Sequence, residues 1–195
     1  MRSPSSGRDV QRDLILRARE GDHDAYTALA AEAFDRLHRT ARLILRNEDL
    51  AADAVQEALV AAWLHIRAVR DPDRFDVWLH RLVVRACYRE ARQNRRRLTV
   101  LEIRLAPLTT PDAPDLAGPA ADRDQLERGF RHLSPEHRAV LVVHFYLGMT
   151  EREAAAILDI PTGTVKSRLS RAMQALRAAL EAAERAPVLT RESTT

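Results

Sequence analysis

The chain has 195 residues, with 31 Lys+Arg against 28 Asp+Glu, a formal charge of +3 and an isoelectric point of about 9.6. One cysteine, Cys87, excludes an internal disulfide framework and a cysteine-based metal site, and the seven histidines lack ligand spacing. No stretch resembles a signal peptide or a spanning helix, so a soluble, cytoplasmic protein without membrane contact, metal or cofactor is expected. All the cations except Lys166 are arginines, a bias that suits phosphate and base contacts but also follows from a GC-rich genome.

Residues 1–8 are polar and expected to be disordered. Asp9 is placed to cap a short helix through Leu14 and Ile15 that stops at Gly21. Asp22 opens a longer helix with Ala25, Tyr26, Leu29, Phe34, Leu37, Ala41 and Ile44 at helical spacing. Asp49 opens a third, whose stripe of Val55, Leu59, Ala62, Trp63 and Ile66 is the predicted buried side. On another face Asp49, Asp53 and Glu57 recur at every fourth position, with Gln56 beside them. Such an acidic stripe is ordinarily a solvated face, and its first members suit a helix N-terminus. A docking surface for a basic partner is the alternative. A loop from Ala68 to Asp73 follows.

A fourth helix is predicted from about Arg74 to Arg97. Phe75, Leu79, Leu82, Val83 and Ala86 lie on one side, with Cys87 read as an inert, buried group. Arg81, Arg85, Tyr88 and Arg92 share a second stripe, with Trp78 and Arg89 at its edge. Cations interleaved with aromatics suit a strand whose bases unstack onto side chains. The bland alternative is a core edge with snorkelling arginines, more credible for Trp78 than for Tyr88. Residues 98–121, with four prolines and a glycine after Leu105, have no usable period and read as a flexible linker.

The second unit starts near Asp122, with Leu126 and Phe130 on its first helix. Ser134 and Pro135 open the next, which is predicted to bury Val140, Leu141, Val143 and Phe145 and to end at Leu147-Gly148. Thr150 and Glu153 form a capping box for a short helix through Ala154, Ile157 and Leu158. Asp159-Ile160-Pro161 ends it and a last helix begins at once, which makes a helix-turn-helix.

In the last helix Val165, Leu169, Ala172, Met173 and Leu176 form the apolar stripe. Thr164, Ser167, Ser170, Arg171 and Gln174 lie opposite, with Lys166 and Arg168 on the flanks. No acid occurs between Thr162 and Leu180. This is the layout of a recognition helix: short donors and one arginine for base edges, flanking cations for phosphates. A merely solvated face would mix its signs. The expected fold is all-α: two small helical domains, 9–97 and 122–184, joined by the flexible linker.

The segment from Leu133 to Arg177, above all GTVKSRLSRA, resembles region 4 of the extracytoplasmic-function sigma factors of bacterial RNA polymerase. The stretch DLAADAVQEALVAAW is similar to region 2.2, and RFDVWLHRLVVRACYREARQ to regions 2.3 and 2.4. The resemblance spans about residues 10 to 183. It implies that Asp53, Gln56 and Glu57 dock on the β′ clamp helices of core polymerase. It also implies that Trp78, Arg81, Arg85, Tyr88 and Arg92 take the melted −10 strand, with the loop Val69 to Arg74 holding a flipped base. The helix from Gly163 would enter the −35 major groove while its domain holds the β flap. The linker would thread toward the active-site and RNA-exit channels.

No catalysis is implied for the chain, and an anti-sigma factor is an open expectation. Arg85 and Arg89 depart from the Asn and Asp frequent in the family, and Asp159 replaces the usual turn glycine. The runner-up is a LuxR-like helix-turn-helix regulator acting without polymerase. It accounts for the second half and leaves the first without a task.

Overall fold

A computed structural model describes residues 4–104 and 120–185, with side-chain surroundings for 7–97 and 126–182. No strand occurs among the described residues, and no helix there is long and apolar enough to cross a membrane. The described residues form eight α-helices in order: α1 Pro4–Glu20, α2 His23–Leu45, α3 Glu48–His65, α4 Phe75–Arg104, α5 Ala120–Arg131, α6 Pro135–Leu141, α7 Glu151–Leu158 and α8 Thr162–Arg185. Short 3₁₀ turns, Ile66–Ala68 and Pro72–Arg74, join α3 to α4, and a π-helical turn, Val142–Tyr146, continues α6.

The first four helices pack as a bundle. Leu29, Leu37 and Ile44 of α2 meet the alanines of α3, Ala51, Ala54, Ala58 and Ala62, all fully buried. Side chains this small let the α3 backbone approach its neighbours closely. From α4 come Leu79, Val83 and Val84, and from α1 Ile15 and Ala18. At a typical 1.5–3 kcal/mol for each large apolar side chain removed from water, this cluster is the main source of stability.

Local chemistry sets the helix ends, not always where the sequence suggests. The Asp22 carboxylate accepts from Asp24 N and Ala25 N, both at 3.0 Å, as expected. α3 is capped by Asn47, whose Oδ1 accepts from Leu50 N at 2.9 Å, so it starts at Glu48, one position ahead of the expected Asp49. α1 starts at Pro4 instead of Asp9: proline is tolerated in a first turn, and burial of Ile15 and Ala18 holds the helix that extends back to it. Of the segment expected to be disordered, residues 4–8 are therefore helical, and 1–3 lie outside the described residues. α4 likewise outruns its expected end at Arg97 and reaches Arg104, because no Pro or Gly interrupts it before Pro107. The opening of the expected linker is thus helical, residues 120 and 121 open α5, and 105–119 lie outside the described residues.

Two large apolar side chains expected inside are outside. Phe34 is exposed and stacks on His38 with ring centroids 5.8 Å apart, while neighbouring Ala33 takes the core position. Phe145 is 61% exposed although Val140, Leu141 and Val143 are buried as expected. The π turn causes this: Leu147 N donates to Val142 O at 3.0 Å, five residues back, and the extra residue rotates the following side chains out of phase.

In the second half α5 and α6 pack on α8, and α7 lies across it. α5 comes unusually near at Gly129. A Cβ there would stand 2.8 Å from Leu176 Cδ1 and 3.0 Å from Leu180 Cδ2. Gly129→Val is expected to push α5 off α8 and cost about 1–3 kcal/mol in urea denaturation, without displacing α3 or α4.

A second prediction concerns acid. His80 is buried, with Nδ1 2.8 Å from the Asp76 carbonyl, and its pKa is lowered, first by burial and then by Arg36. The folded chain therefore holds His80 neutral while the unfolded chain protonates near the ordinary 6.5. The unfolded state binds more protons in that window, so stability falls as pH drops below about 6.5. Asp22, Glu153 and Asp159, whose carboxyls are lowered from 3.8, 4.5 and 3.8, lose their contribution only at more acid pH. Urea titrations between pH 7 and 5 should show this slope in the native chain and a flatter one in His80→Gln.

Candidate nucleic-acid and polymerase interface

The helix-turn-helix is assembled from three local devices. Thr150 Oγ1 accepts from Glu153 N at 3.3 Å, and the Glu153 carboxylate accepts from Thr150 N at 2.9 Å, closing both sides of the capping box. The Thr150 hydroxyl also donates to Glu153 Oε2 at 2.7 Å, and this bond first, then the one from Thr150 N, holds the Glu153 carboxyl below its ordinary range. Asp159 sits in the left-handed region at φ 57, ψ 45, and Ile160 N donates to Ala155 O at 3.2 Å in the six-to-one bond of a Schellman turn. Pro161 then precedes α8, with Val165 N donating to the Pro161 carbonyl at 3.1 Å.

Burial fixes how α8 is rotated. Val165, Ala172 and Leu176 are buried, with Leu169 and Met173 packed half-buried against the core, so the predicted stripe is the packed one. Ser167, Ser170, Arg171 and Gln174 are exposed on the other side, and Thr164 is half-buried at its end. Arg171 lies along the helix, its Nε donating to Ser167 O at 3.2 Å, while Ser167 Oγ donates to Thr164 O at 3.1 Å. The flanks differ. Lys166 Nζ reaches Glu151 Oε2 of α7 at 3.4 Å, whereas Arg168 is half-buried and faces α4.

On α3 the expected stripe is in place: Asp49, Asp53, Gln56 and Glu57 are all exposed. Glu57 Oε1 is 2.8 Å from Arg89 Nη2 of α4, which ties one end of the stripe to the next helix. The side of α3 beside it is apolar, with Val60 and Leu64 exposed at 55% and 68%.

The arginine-aromatic stripe of α4 does not face open solvent along its length. Arg92 and neighbouring Arg89 are exposed, but Arg81, Arg85 and Tyr88 meet the second half of the chain. Arg81 Nη2 donates to Asp159 Oδ1 and Arg85 Nη2 to Asp159 Oδ2, both at 2.6 Å. Arg85 first, then Arg81, holds the Asp159 carboxyl below its usual range. Tyr88 is pushed up to about 12, chiefly by burial, and its enclosed hydroxyl feels the Arg168 guanidinium opposite. Trp78 is half-buried and leans on Phe75, ring centroids 5.8 Å apart. In the turn before α4, Arg74 is strongly exposed and near enough to Glu153 to lower it further.

Sequence reasoning treated Asp159 as a turn residue and did not see its carboxylate as a partner for α4. It also passed over Arg46, which ends α2 in the left-handed region at φ 58 and reaches Glu127 of α5 at 3.7 Å. Two departures noted in the sequence, Arg85 and Asp159, turn out to be bonded to each other. Among the described residues no cluster of His, Cys, Asp and Glu could hold a metal ion.

Comparison with known proteins covers both halves. Residues 29–97 match the family described as Sigma-70 region 2, and residues 123–176 the family described as Sigma-70, region 4. The ECF RNA polymerase sigma factor SigL of Mycobacterium tuberculosis is 32% identical over 177 residues, covering 90% of this chain and 94% of its own. The RNA polymerase sigma factor CnrH of Cupriavidus metallidurans is 34% identical over 185 residues, covering 89% and 96%. The solved structure of CnrH in complex with the cytosolic domain of CnrY has a TM-score of 0.60 at 27% identity, covering 89% of this chain and 98% of that one. The sigma factor RpoE of Bartonella quintana, solved with the anti-sigma factor NepR, shares the fold with a TM-score of 0.65 at 23% identity, covering 80% and 96%.

Proposed function

We propose a division of labour for this chain, which belongs to the extracytoplasmic-function sigma factors of bacterial RNA polymerase and directs transcription initiation. α3 docks on the β′ clamp helices through Asp53, Gln56 and Glu57. α4 takes the melted −10 strand through Trp78, Arg81, Arg85, Tyr88 and Arg92, with the turn at 69–74 receiving a flipped base. α8 enters the −35 major groove, where Ser167, Ser170, Arg171 and Gln174 face base edges and Thr164, Lys166 and Arg168 meet the backbone, while the second half also holds the β flap. Residues 98–121 include the connection between the two DNA-binding units. Bond formation belongs to the polymerase, so no catalytic step is assigned here.

The observation that carries this reading is the outward face of α8. It is polar and basic, holds no acid from Thr162 to Leu180, and is oriented by a buried stripe on the opposite side. Helix N-terminal halves presented this way fit the major groove, and arginine pairs with guanine through two parallel hydrogen bonds. The LuxR-like alternative is not favoured, because residues 29–97 match a sigma region that such a regulator does not use. Since CnrH is solved with the cytosolic domain of CnrY, we extend the reading to a comparable anti-sigma partner for this chain.

Two experiments test it. Asp53→Lys with Glu57→Lys should weaken binding to core polymerase by about tenfold or more, since opposed charges at an interface become repulsive. Binding of the full chain to −35 duplex should be unchanged. An Arg89→Glu background preserves the α3–α4 pair and controls for its loss. Unaltered core affinity in the folded variant removes the docking assignment.

The second titrates Arg171→Ala and Lys166→Ala against every single-base variant of the −35 site at several salt concentrations. Loss of Arg171 should cost about 1–3 kcal/mol at the cognate site and flatten preference at one position. Loss of Lys166 should weaken all sequences alike and reduce the salt slope by roughly one. The opposite pattern would mean that the contacts of α8 are assigned to the wrong flank.

A further inference from the structure

The surfaces assigned to DNA in the two halves lie against each other. Arg81, Arg85 and Tyr88 of α4 face the turn of the helix-turn-helix, and Arg168 of α8 faces Tyr88. Two basic surfaces brought together repel unless an acid lies between them. Asp159 is that acid, giving one carboxylate oxygen to each guanidinium at 2.6 Å. A fork of this kind, two arginines on two oxygens of one singly charged group, is also how arginines hold the phosphate of a nucleic-acid backbone.

The position of Asp159 adds a second observation. It ends α7 in the left-handed region, where glycine is the least strained choice and a residue with a Cβ is disfavoured. Among the described residues only Arg46 shares that non-glycine conformation, and it too sends its side chain across to the other half, to Glu127. Both helix ends where glycine would serve the backbone better instead carry a charge into the contact between the halves.

We propose that the Asp159 carboxylate occupies the place of a nucleic-acid phosphate on the Arg81–Arg85 fork and thereby holds the two DNA-binding halves shut until DNA or polymerase displaces it. The proposal rests on the assignment of α4 to the −10 strand. In the closed form the fork is filled, Tyr88 is covered, and neither half can wrap a promoter. The ion pairs are half exposed, with side-chain exposures of 38% and 42% for the arginines and 56% for Asp159, so salt and a competing polyanion both reach them. Opening must also part α4 and α2 from α6 and α7, whose apolar side chains belong to the same buried cluster.

The test uses the full chain, with Asp159→Asn and Asp159→Gly as two variants that both tolerate the left-handed turn. Asp35→Asn, on the exposed side of α2, controls for the loss of one negative charge. Affinity for a fluorescein-labelled single-stranded oligothymidylate is measured by anisotropy without polymerase, and the radius of gyration by small-angle scattering. Both Asp159 variants should bind roughly threefold tighter or better and scatter as a more extended particle at low salt, and Asp35→Asn should do neither. Native chain should approach the variants as salt rises.

Equal affinity and equal radius for native chain and both variants overturn the clasp. The underlying assignment has its own readout, Arg81→Ala with Arg85→Ala placed in the Asp159→Asn background. If that triple variant binds the strand as well as Asp159→Asn alone, the fork is no DNA contact. If it loses affinity while Asp159→Asn changes nothing, the fork binds DNA and the clasp alone is wrong.

Discussion

The structure depends on one helix being buried on two sides. α4 contributes Leu79 and Val83 to the bundle with α2 and α3, and it also packs on α6 and α7 of the second half. A helix so placed cannot shift without disturbing both cores. Its polar residues are therefore confined to narrow strips between packed faces, and the Arg81–Arg85–Tyr88 stripe is one of them. The position of that stripe follows from packing, and its chemistry from the few side chains that packing leaves there.

Arginine suits these strips. Its long stem can lie along apolar surface while the guanidinium reaches an acid at the edge, and the planar group makes directed hydrogen bonds that an ammonium does not. Arg36 with Asp76, Arg89 with Glu57 and the pair on Asp159 all join different helices in this manner. None of these pairs is deeply buried, so their contribution is orientation more than stability. The apolar clusters decide whether the chain folds, and the arginines decide how the helices face.

The sequence was most legible where one physical rule acts alone. The capping box at Thr150 and Glu153, the serine cap at Ser134 and the apolar stripe of α8 each rest on spacing within one helix, and each is found as expected. The family assignment was legible for a different reason: the GTVKSRLSRA segment and the α3 and α4 stretches resemble known regions. Reading failed where neighbours in space decide. Nothing in the spacing of Val142–Tyr146 announces a π turn, so the exposure of Phe145 could not be foreseen. Helix ends at Asn47 and Arg104 depended on competing caps and on the absence of a breaker. The contact of Asp159 with Arg81 and Arg85 spans more than seventy residues, beyond the reach of any spacing rule within one helix.

Cys87 gives the molecule a built-in clock. It lies four residues after Val83 on the packed side of α4, about 200° around the helix from Arg85, and its thiol is pushed up to about 12 by burial. A thiol held protonated and out of solvent is inert, since the thiolate is the nucleophile. The arginine side of α4 is partly open to solvent, whereas the cysteine side is closed. Its alkylation rate therefore follows opening of the packing around α4. One native sulfur thus reports on loss of packing at the helix that both halves share.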